Sequence, residues 1–201
     1  RFLMRYQKFS SKIKPEITSN FEQGSPHFQK ERWVFIENFL GEEFYKELLV
    51  NWPPRYYFSS PNQLAKSYDA GFHWSYGREP NFNDSDPYSQ YQIIKDLLDY
   101  FRSDNFLARV RKFTGGKDFV CYSFSLNRTY PGSEVLPHKD SFKEDDPGAD
   151  FFNITLFVDG TGGKNSGGLT LSRDNEMQDI IFEPVNLKNT TLIYDTRADF
   201  Y

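Results

Sequence analysis

Apolar residues follow a helical period in the first half of the chain and a strand-like alternation in the second. Residues 41–52 carry a large apolar side chain at every fourth position, which predicts a helix with one buried face that ends at Pro53 and Pro54. The same reasoning predicts a second helix over 88–102. A third helix is predicted to begin after Ser103, whose side chain can cap it, and to end at Gly115. A short apolar strand, 33–36, comes before the first of these helices.

The second half of the chain predicts short strands separated by turns. Within 119–130 the residues alternate, so that Tyr122, Phe124 and Leu126 are expected on one face. Gly, Asp and Pro residues mark turns between four more strand-like runs: 151–158, 169–172, 180–182 and 191–194. Helices followed by many short strands are typical of an α+β fold whose second layer is a β-sandwich or open barrel.

Segment 56–87, between the first two predicted helices, has no clear periodicity. It is rich in Asn, Ser, Pro, Gly and aromatic residues, which predicts a long irregular loop. Loops of this length often cover functional sites. Because the loop contains the aromatic stretch around His73 and Trp74, we expect it to lie over or beside such a site.

The composition fits one domain over residues 1–201, with residues 1–30 as a peripheral N-terminal extension. An aromatic fraction of 18% favours a β-rich fold. The net charge of -4 gives no reason to expect nucleic-acid binding, and no apolar run approaches the roughly 20 residues of a membrane helix. A single cysteine suits a cytoplasmic protein, since it cannot form an internal disulfide.

His138 and Asp140 are the candidate metal ligands. Residues two apart on an extended segment point the same way, so this imidazole and this carboxylate can face one interior. One histidine and one carboxylate are two of the three ligands in the facial triad of non-haem Fe(II) enzymes. The short pattern His-x-Asp is common by chance, and the alternative for His138 is a surface histidine in a turn.

The surroundings of this pair strengthen the metal hypothesis, because the order of several motifs resembles the prolyl-hydroxylase-like branch of the 2-oxoglutarate/Fe(II) oxygenases. The resemblance covers about residues 33–201 and includes the strand-to-helix entry at 33–40. The matching pieces are, in order, Tyr130-Pro131-Gly132, His138-x-Asp140, 152–158, Gly167-Gly168-Leu169-Thr170, Phe182-Glu183-Pro184 and Leu192-Ile193-Tyr194. It implies a double-stranded β-helix (jelly-roll) core with supporting N-terminal helices.

The resemblance also implies roles for individual residues. Those implied to line the 2-oxoglutarate pocket are Tyr130, Asn153, Thr155 and Tyr122; those implied to face the substrate are Arg128, His73 and Trp74. Asn153, Thr155 and Phe157 share one strand face by parity, and the sequence leaves open whether that face points inward or to solvent. An arginine such as Arg128 is more often paired at the surface, and an isolated histidine such as His73 is usually structural or exposed.

The implied activity is that of a dioxygenase that uses Fe(II), 2-oxoglutarate and ascorbate as reductant. It would decarboxylate 2-oxoglutarate to succinate and CO₂ while hydroxylating an unidentified substrate, either a protein side chain or a small molecule. In this family a distal histidine and a basic residue that pairs with 2-oxoglutarate follow the last apolar strand. We expect both, with further strands, beyond Tyr201, and further domains or assembly partners are possible.

Two other interpretations remain open. The chain could be a catalytically inactive β-helix domain that serves as a binding or structural module. It could also be a cupin-like metal enzyme with different chemistry, although cupins usually bring two or more histidines close together in sequence and this chain has one at the candidate site.

Overall fold

The computed structural model describes residues 13–55, 58, 68–77, 91–129, 135–140, 151–162 and 169–201, with only the backbone described for residues 68–73 and 75. The helices within these ranges are α1 (Asn20–Gln23), α2 (Ser25–Glu31), α3 (Glu42–Val50), α4 (Gln92–Arg102) and α5 (Asp104–Phe113). The strands are β1 (Trp33–Glu37), β2 (Tyr68–Ser75), β3 (Ser123–Thr129), β4 (Phe152–Phe157), β5 (Leu171–Ser172), β6 (Ile180–Phe182) and β7 (Thr190–Asp195).

Helices α3, α4 and α5 confirm the helices predicted from the apolar period. The side chains that α4 buries are Ile93, Ile94, Leu97, Leu98 and Phe101. Ser103 caps α5 as predicted, because its Oγ accepts a hydrogen bond from the Phe106 amide at 3.2 Å. The predicted beginning of α4 at residue 88 lies outside the described residues.

Residues 13–30 contribute to the core, which corrects the expectation of a peripheral extension for this part of residues 1–30; residues 1–12 lie outside the described residues. Phe21 in α1 is fully buried, and Phe28 in α2 is 3% exposed. The Phe21 ring stacks on that of Phe113 in α5, with centroids 4.4 Å apart. These two helices are too short for a sequence period to reveal them, and burial against α5 stabilises them.

A three-stranded antiparallel sheet in the order β1-β7-β4 lies against the helices. All six residues of β7, the central strand, are buried. One face of the sheet, with Val34, Ile193 and Ile154 in register across the three strands, packs into the helical core. The opposite face carries Trp33, Tyr194 and Asn153 in register.

Strand β2 corrects the prediction that 56–87 is irregular throughout. Residues 68–75 pair antiparallel with β3, which places Trp74 opposite Phe124 and His73 opposite Ser125. The pairing joins residues about 50 positions apart, so no local pattern could reveal it. The rest of the segment lies outside the described residues, apart from Arg55, Phe58, Tyr76 and Gly77 at its edges.

The alternation predicted for 119–130 holds within β3 but not before it. Leu126 is buried and Phe124 half-buried, whereas Ser123 and Ser125 are exposed. Tyr122 was expected on the Phe124 face, yet it is 49% exposed. Cys121 packs against the helical core in its place. The strand begins only at Ser123, so the parity of a strand does not apply to Tyr122.

The short hairpin of β5 and β6 covers part of the second sheet face, because the Phe182 ring lies 4.9 Å from that of Trp33 and 5.0 Å from that of Phe35. The described chain is thus a mixed α/β fold with small antiparallel sheets. Whether these sheets belong to a double-stranded β-helix stays a prediction. None of the helices in the described ranges is long and apolar enough to cross a membrane.

Candidate functional site

His138 and Asp140 lie in residues 135–140, which have no regular secondary structure after a bridge at Val135, and their side chains approach each other. His138 Nε2 is 3.4 Å from Asp140 Oδ1. Lys139, between them, contacts the C-terminal residues instead. The imidazole and the carboxylate therefore meet each other, while the side chain between them is engaged elsewhere.

The His138 ring is fixed by its own backbone. Nδ1 lies 2.8 Å from the carbonyl oxygen of Leu136, so the proton sits on Nδ1 and is donated to that oxygen. Nε2 is then the ring nitrogen that is left for a second partner, and Asp140 Oδ1 lies 3.4 Å from it. A hydrogen bond from one ring nitrogen to a carbonyl commonly fixes the tautomer of a metal-binding histidine. The side chain is 52% exposed and thus accessible from solvent.

The second carboxylate oxygen of Asp140 is held by the sheet. Asn153 Nδ2 donates to Oδ2 at 2.5 Å, and the Tyr194 hydroxyl donates to the same oxygen. Asn153 and Tyr194 are register partners on β4 and β7, and a further hydrogen bond of 2.9 Å joins the Asn153 amide to the Tyr194 hydroxyl. Burial, followed by the nearby Asp140 charge, raises the pKa of Tyr194 well above its ordinary value, so its hydroxyl remains a donor.

The two remaining atoms, His138 Nε2 and Asp140 Oδ1, are spaced for one divalent metal ion. Ligands about 2.1 Å from a metal lie about 3.0 to 3.4 Å apart when their angle at the metal is 90° to 109°. The observed separation of 3.4 Å is within that range. No third His, Cys, Asp or Glu joins them to form a metal-binding group in the described part of the chain. The described residues therefore offer two ligands of the donor types that suit Fe(II).

Lys139 ties the segment to the C-terminal residues. Its ammonium group forms an ion pair with Asp199 and lies 4.6 Å from the centroid of the Tyr201 ring. The hydrogen bond to Asp199 is the main reason that the pKa of Lys139 is raised. Tyr201 in turn exchanges two backbone hydrogen bonds with Ser172 of β5, 2.9 and 3.0 Å long. The candidate ligands thus lie between the sheet on one side and the C-terminal residues on the other.

The other residues predicted for the site are dispersed. Thr155 is half-buried on the same face of β4 as Asn153. Tyr122 is half-exposed directly before β3, and Arg128 is half-buried within β3. Tyr130 and the His73 side chain lie outside the described residues.

Trp74 was expected in a loop that contacts substrate, and its placement differs. It is 4% exposed and packs against the helical core, with the Arg102 guanidinium 4.7 Å from its ring centroid. Its predicted role in substrate binding gains no support from this position. Tyr194, by contrast, is a site residue that sequence reasoning missed. The available signal was a single hydroxyl at the end of the apolar run 191–194.

Comparison with known proteins does not assign the chain to a family. No protein-family model matches the chain, and a search of curated proteins finds no match.

Proposed function

We propose that the chain is the metal-binding domain of an Fe(II)- and 2-oxoglutarate-dependent dioxygenase that hydroxylates a protein side chain or a small molecule. The observation that carries the proposal is the convergence of His138 Nε2 and Asp140 Oδ1 at 3.4 Å. The other polar atom of each side chain is already occupied, by Leu136 O and by Tyr194 with Asn153, respectively. A double-stranded β-helix core and a cytoplasmic location are parts of the same proposal.

In this proposal the residues of the chain bind and orient. His138 and Asp140 hold the metal, while the hydrogen bonds to their outer atoms keep both side chains aimed at it. Thr155 lies on the Asp140 side of β4 and is the described hydroxyl best placed by parity to meet 2-oxoglutarate. When bound, Fe(II) would activate O₂, which is the oxidant, with two of the electrons supplied by the decarboxylation of 2-oxoglutarate; no protein side chain provides this chemistry.

The test is turnover of 2-oxoglutarate, measured as succinate formed in the presence of Fe(II), O₂ and ascorbate on the natural full-length protein. We expect succinate formation that is lost in His138→Ala and in Asp140→Ala. His27→Ala is the matched control, because His27 packs edge-on against Trp33 with ring centroids 5.0 Å apart and is not one of the proposed ligands. Absence of succinate from the wild-type protein, with the metal bound, would contradict the proposed function.

A second candidate is a catalytically inactive module that binds a partner. It is favoured by one observation: the described residues bring only two metal-ligating side chains together. A facial triad needs three, and two ligands hold a divalent ion more weakly. The two candidates differ in one measurement, because the module would form no succinate even when saturated with Fe(II) and 2-oxoglutarate.

A further inference from the structure

We infer that Tyr194 and Asn153 are positioning residues that hold Oδ2 of Asp140 and so restrict this carboxylate to metal binding through Oδ1 alone. The inference rests on the proposed metal site and adds to it the way in which Asp140 binds. It assigns to a tyrosine and an asparagine a role that acts through Asp140.

The lone pairs of Asp140 Oδ2 are already engaged in hydrogen bonds. A carboxylate oxygen accepts about two hydrogen bonds in its plane, and Oδ2 receives two, from the Asn153 amide and the Tyr194 hydroxyl. Oδ1 faces His138 Nε2 instead. A metal ion that approaches Oδ2 would have to displace two hydrogen bonds to a charged acceptor, which are among the stronger ones in proteins. An ion that approaches Oδ1 displaces neither.

The two donors, Asn153 and Tyr194, are held firmly in place. Both are carried by paired strands of one sheet, and β7 is its buried central strand. The Tyr194 side chain is 7% exposed, with Leu171 and Leu192 in the same buried cluster. Donors on a sheet are positioned more firmly than donors on a loop. Residues 135–139, directly before Asp140, are exposed, so the sheet supplies the firm contacts that orient this carboxylate.

The surroundings and hydrogen bonds of the Asn153–Tyr194 pair also indicate that Asp140 is its partner. Within the sheet, Asn153 and Tyr194 have apolar neighbours on their own face, among them Leu192 and Trp33. If the two side chains bonded only to each other, one hydrogen bond between them would be enough. Here the Asn153 amide donates twice, once to Tyr194 and once to Asp140. The pair thus reaches out of the sheet to one particular carboxylate.

The consequence concerns the positions around the metal. A carboxylate that binds through both oxygens occupies two coordination positions, whereas one that binds through Oδ1 alone occupies one. Every position that the protein leaves open is available to cosubstrate, substrate or oxygen. Tyr194 and Asn153 would therefore keep the proposed site open by occupying Oδ2.

Titration of the metal-free natural full-length protein with Co²⁺ tests this inference through two readouts: the affinity, and the visible absorption spectrum, which responds to the number and arrangement of ligands. We expect Tyr194→Phe and Asn153→Ala each to weaken Co²⁺ binding by about tenfold or more, with an altered spectrum of the bound ion. His138→Ala should abolish binding. Tyr45→Phe is the matched control, since its hydroxyl donates to the Val158 carbonyl at 2.9 Å, away from Asp140, and should leave both readouts unchanged.

A purely structural role for the pair predicts a different result. Tyr194→Phe and Asn153→Ala would then lower the unfolding temperature of the metal-free protein but bind Co²⁺ within twofold of the wild type with the same spectrum, and the inference would be overturned. If Tyr194→Phe does not fold, Asn153→Ala decides the question alone. Absence of Co²⁺ binding by the wild type overturns both this inference and the proposed function. Binding that depends on Tyr194 and Asn153, without any succinate formation, overturns only the proposed function.

Discussion

Asn189 shows how one polar side chain can stabilise a turn inside the core. It adopts a left-handed backbone conformation, with φ of 53°, and is 5% exposed. Its amide pairs with both backbone groups of Leu40, accepting from the N–H and donating to the carbonyl, each at 2.8 Å. Asparagine suits this position because it tolerates φ > 0 better than other residues with a side chain.

We expect Asn189→Ala to lower the free energy of unfolding by about 3 kcal/mol. The substitution leaves the buried N–H and carbonyl of Leu40 without their partner, and it puts alanine in a left-handed backbone conformation that it adopts less readily. Urea denaturation followed by circular dichroism measures the change. Asn38→Ala is the matched control, because Asn38 is exposed and also left-handed, with φ of 50°. The decrease in the free energy of unfolding of Asn38→Ala should reflect only the left-handed backbone conformation and amount to about 1 kcal/mol. Equal losses in the two variants would contradict the role of the Leu40 hydrogen bonds.

The Cys121 thiol is predicted to react slowly in the folded protein. Burial raises its pKa to about 11, and the opposing effect of the Arg102 charge is smaller. At pH 8 such a thiol is about 0.1% thiolate, against roughly a quarter for an ordinary cysteine, so alkylation should be slowed roughly 200-fold. The rate should rise with pH until the thiol is deprotonated near its pKa. Iodoacetamide labelling followed by mass spectrometry measures it, with the urea-unfolded chain as control; rapid labelling of the folded chain at pH 8 would disprove the burial argument.

At the scale of elements, Arg109 joins α5 to the N-terminal residues. Its guanidinium donates to Glu22 Oε1 at 2.6 Å, to the Ile17 carbonyl at 2.6 Å and to the Thr18 carbonyl at 2.7 Å. We expect Arg109→Ala to lower the free energy of unfolding by about 2 kcal/mol, because charged hydrogen bonds to a carboxylate and two carbonyls are lost together. Arg111→Ala on the same helix is the control. Its side chain is 60% exposed and pairs with Asp118 at the surface, so chemical denaturation should find little change.

The Arg109–Glu22 pair also makes a prediction about pH. The hydrogen bond from Arg109 is the largest cause that lowers the pKa of Glu22 below its ordinary value of 4.5. The folded protein therefore favours the ionised carboxylate, and this stabilisation is complete above the ordinary pKa and lost as pH falls through the folded pKa. We expect the stability difference between wild type and Glu22→Gln to stay constant from neutral pH down to about 5 and then to shrink. A difference that grows on acidification would contradict this sign.

At the scale of the whole molecule, the candidate site joins segments that are far apart in sequence. Asp140 meets Asn153 and Tyr194, while Lys139 meets Asp199. We expect Lys139→Ala to leave the unfolding midpoint nearly unchanged, because exposed ion pairs contribute little to stability. Co²⁺ binding should weaken, but by less than the roughly tenfold loss expected for Tyr194→Phe, since the sheet still holds Asp140. Lys188→Ala at another exposed position is the control for a general effect of lost charge. A larger loss of affinity than in Tyr194→Phe would show that the C-terminal contact, and not the sheet, orients the ligands.

Local patterns were sufficient where an element has a long, regular apolar face. Helices α3, α4 and α5 follow from such faces, and so do β1, β4 and β7 within one or two residues at each end. Strand β2 and helices α1 and α2 were not predictable in this way. Strand β2 exists because β3 supplies its hydrogen-bond partners, and the two short helices exist because their phenylalanines are buried against α5.

The candidate site divides in the same manner. The sequence by itself determined that His138 and Asp140 can face one side, because residues two apart on an extended chain share a direction. It also determined that Asn153 and Thr155 share a strand face, but not which way that face points. Only the tertiary structure brought Asn153 and Tyr194 to Asp140, because their meeting depends on the register between β4 and β7 and on where segment 135–140 crosses them. Register is set by pairing between distant strands, so the residues that hold the carboxylate could not be read from its neighbours in sequence.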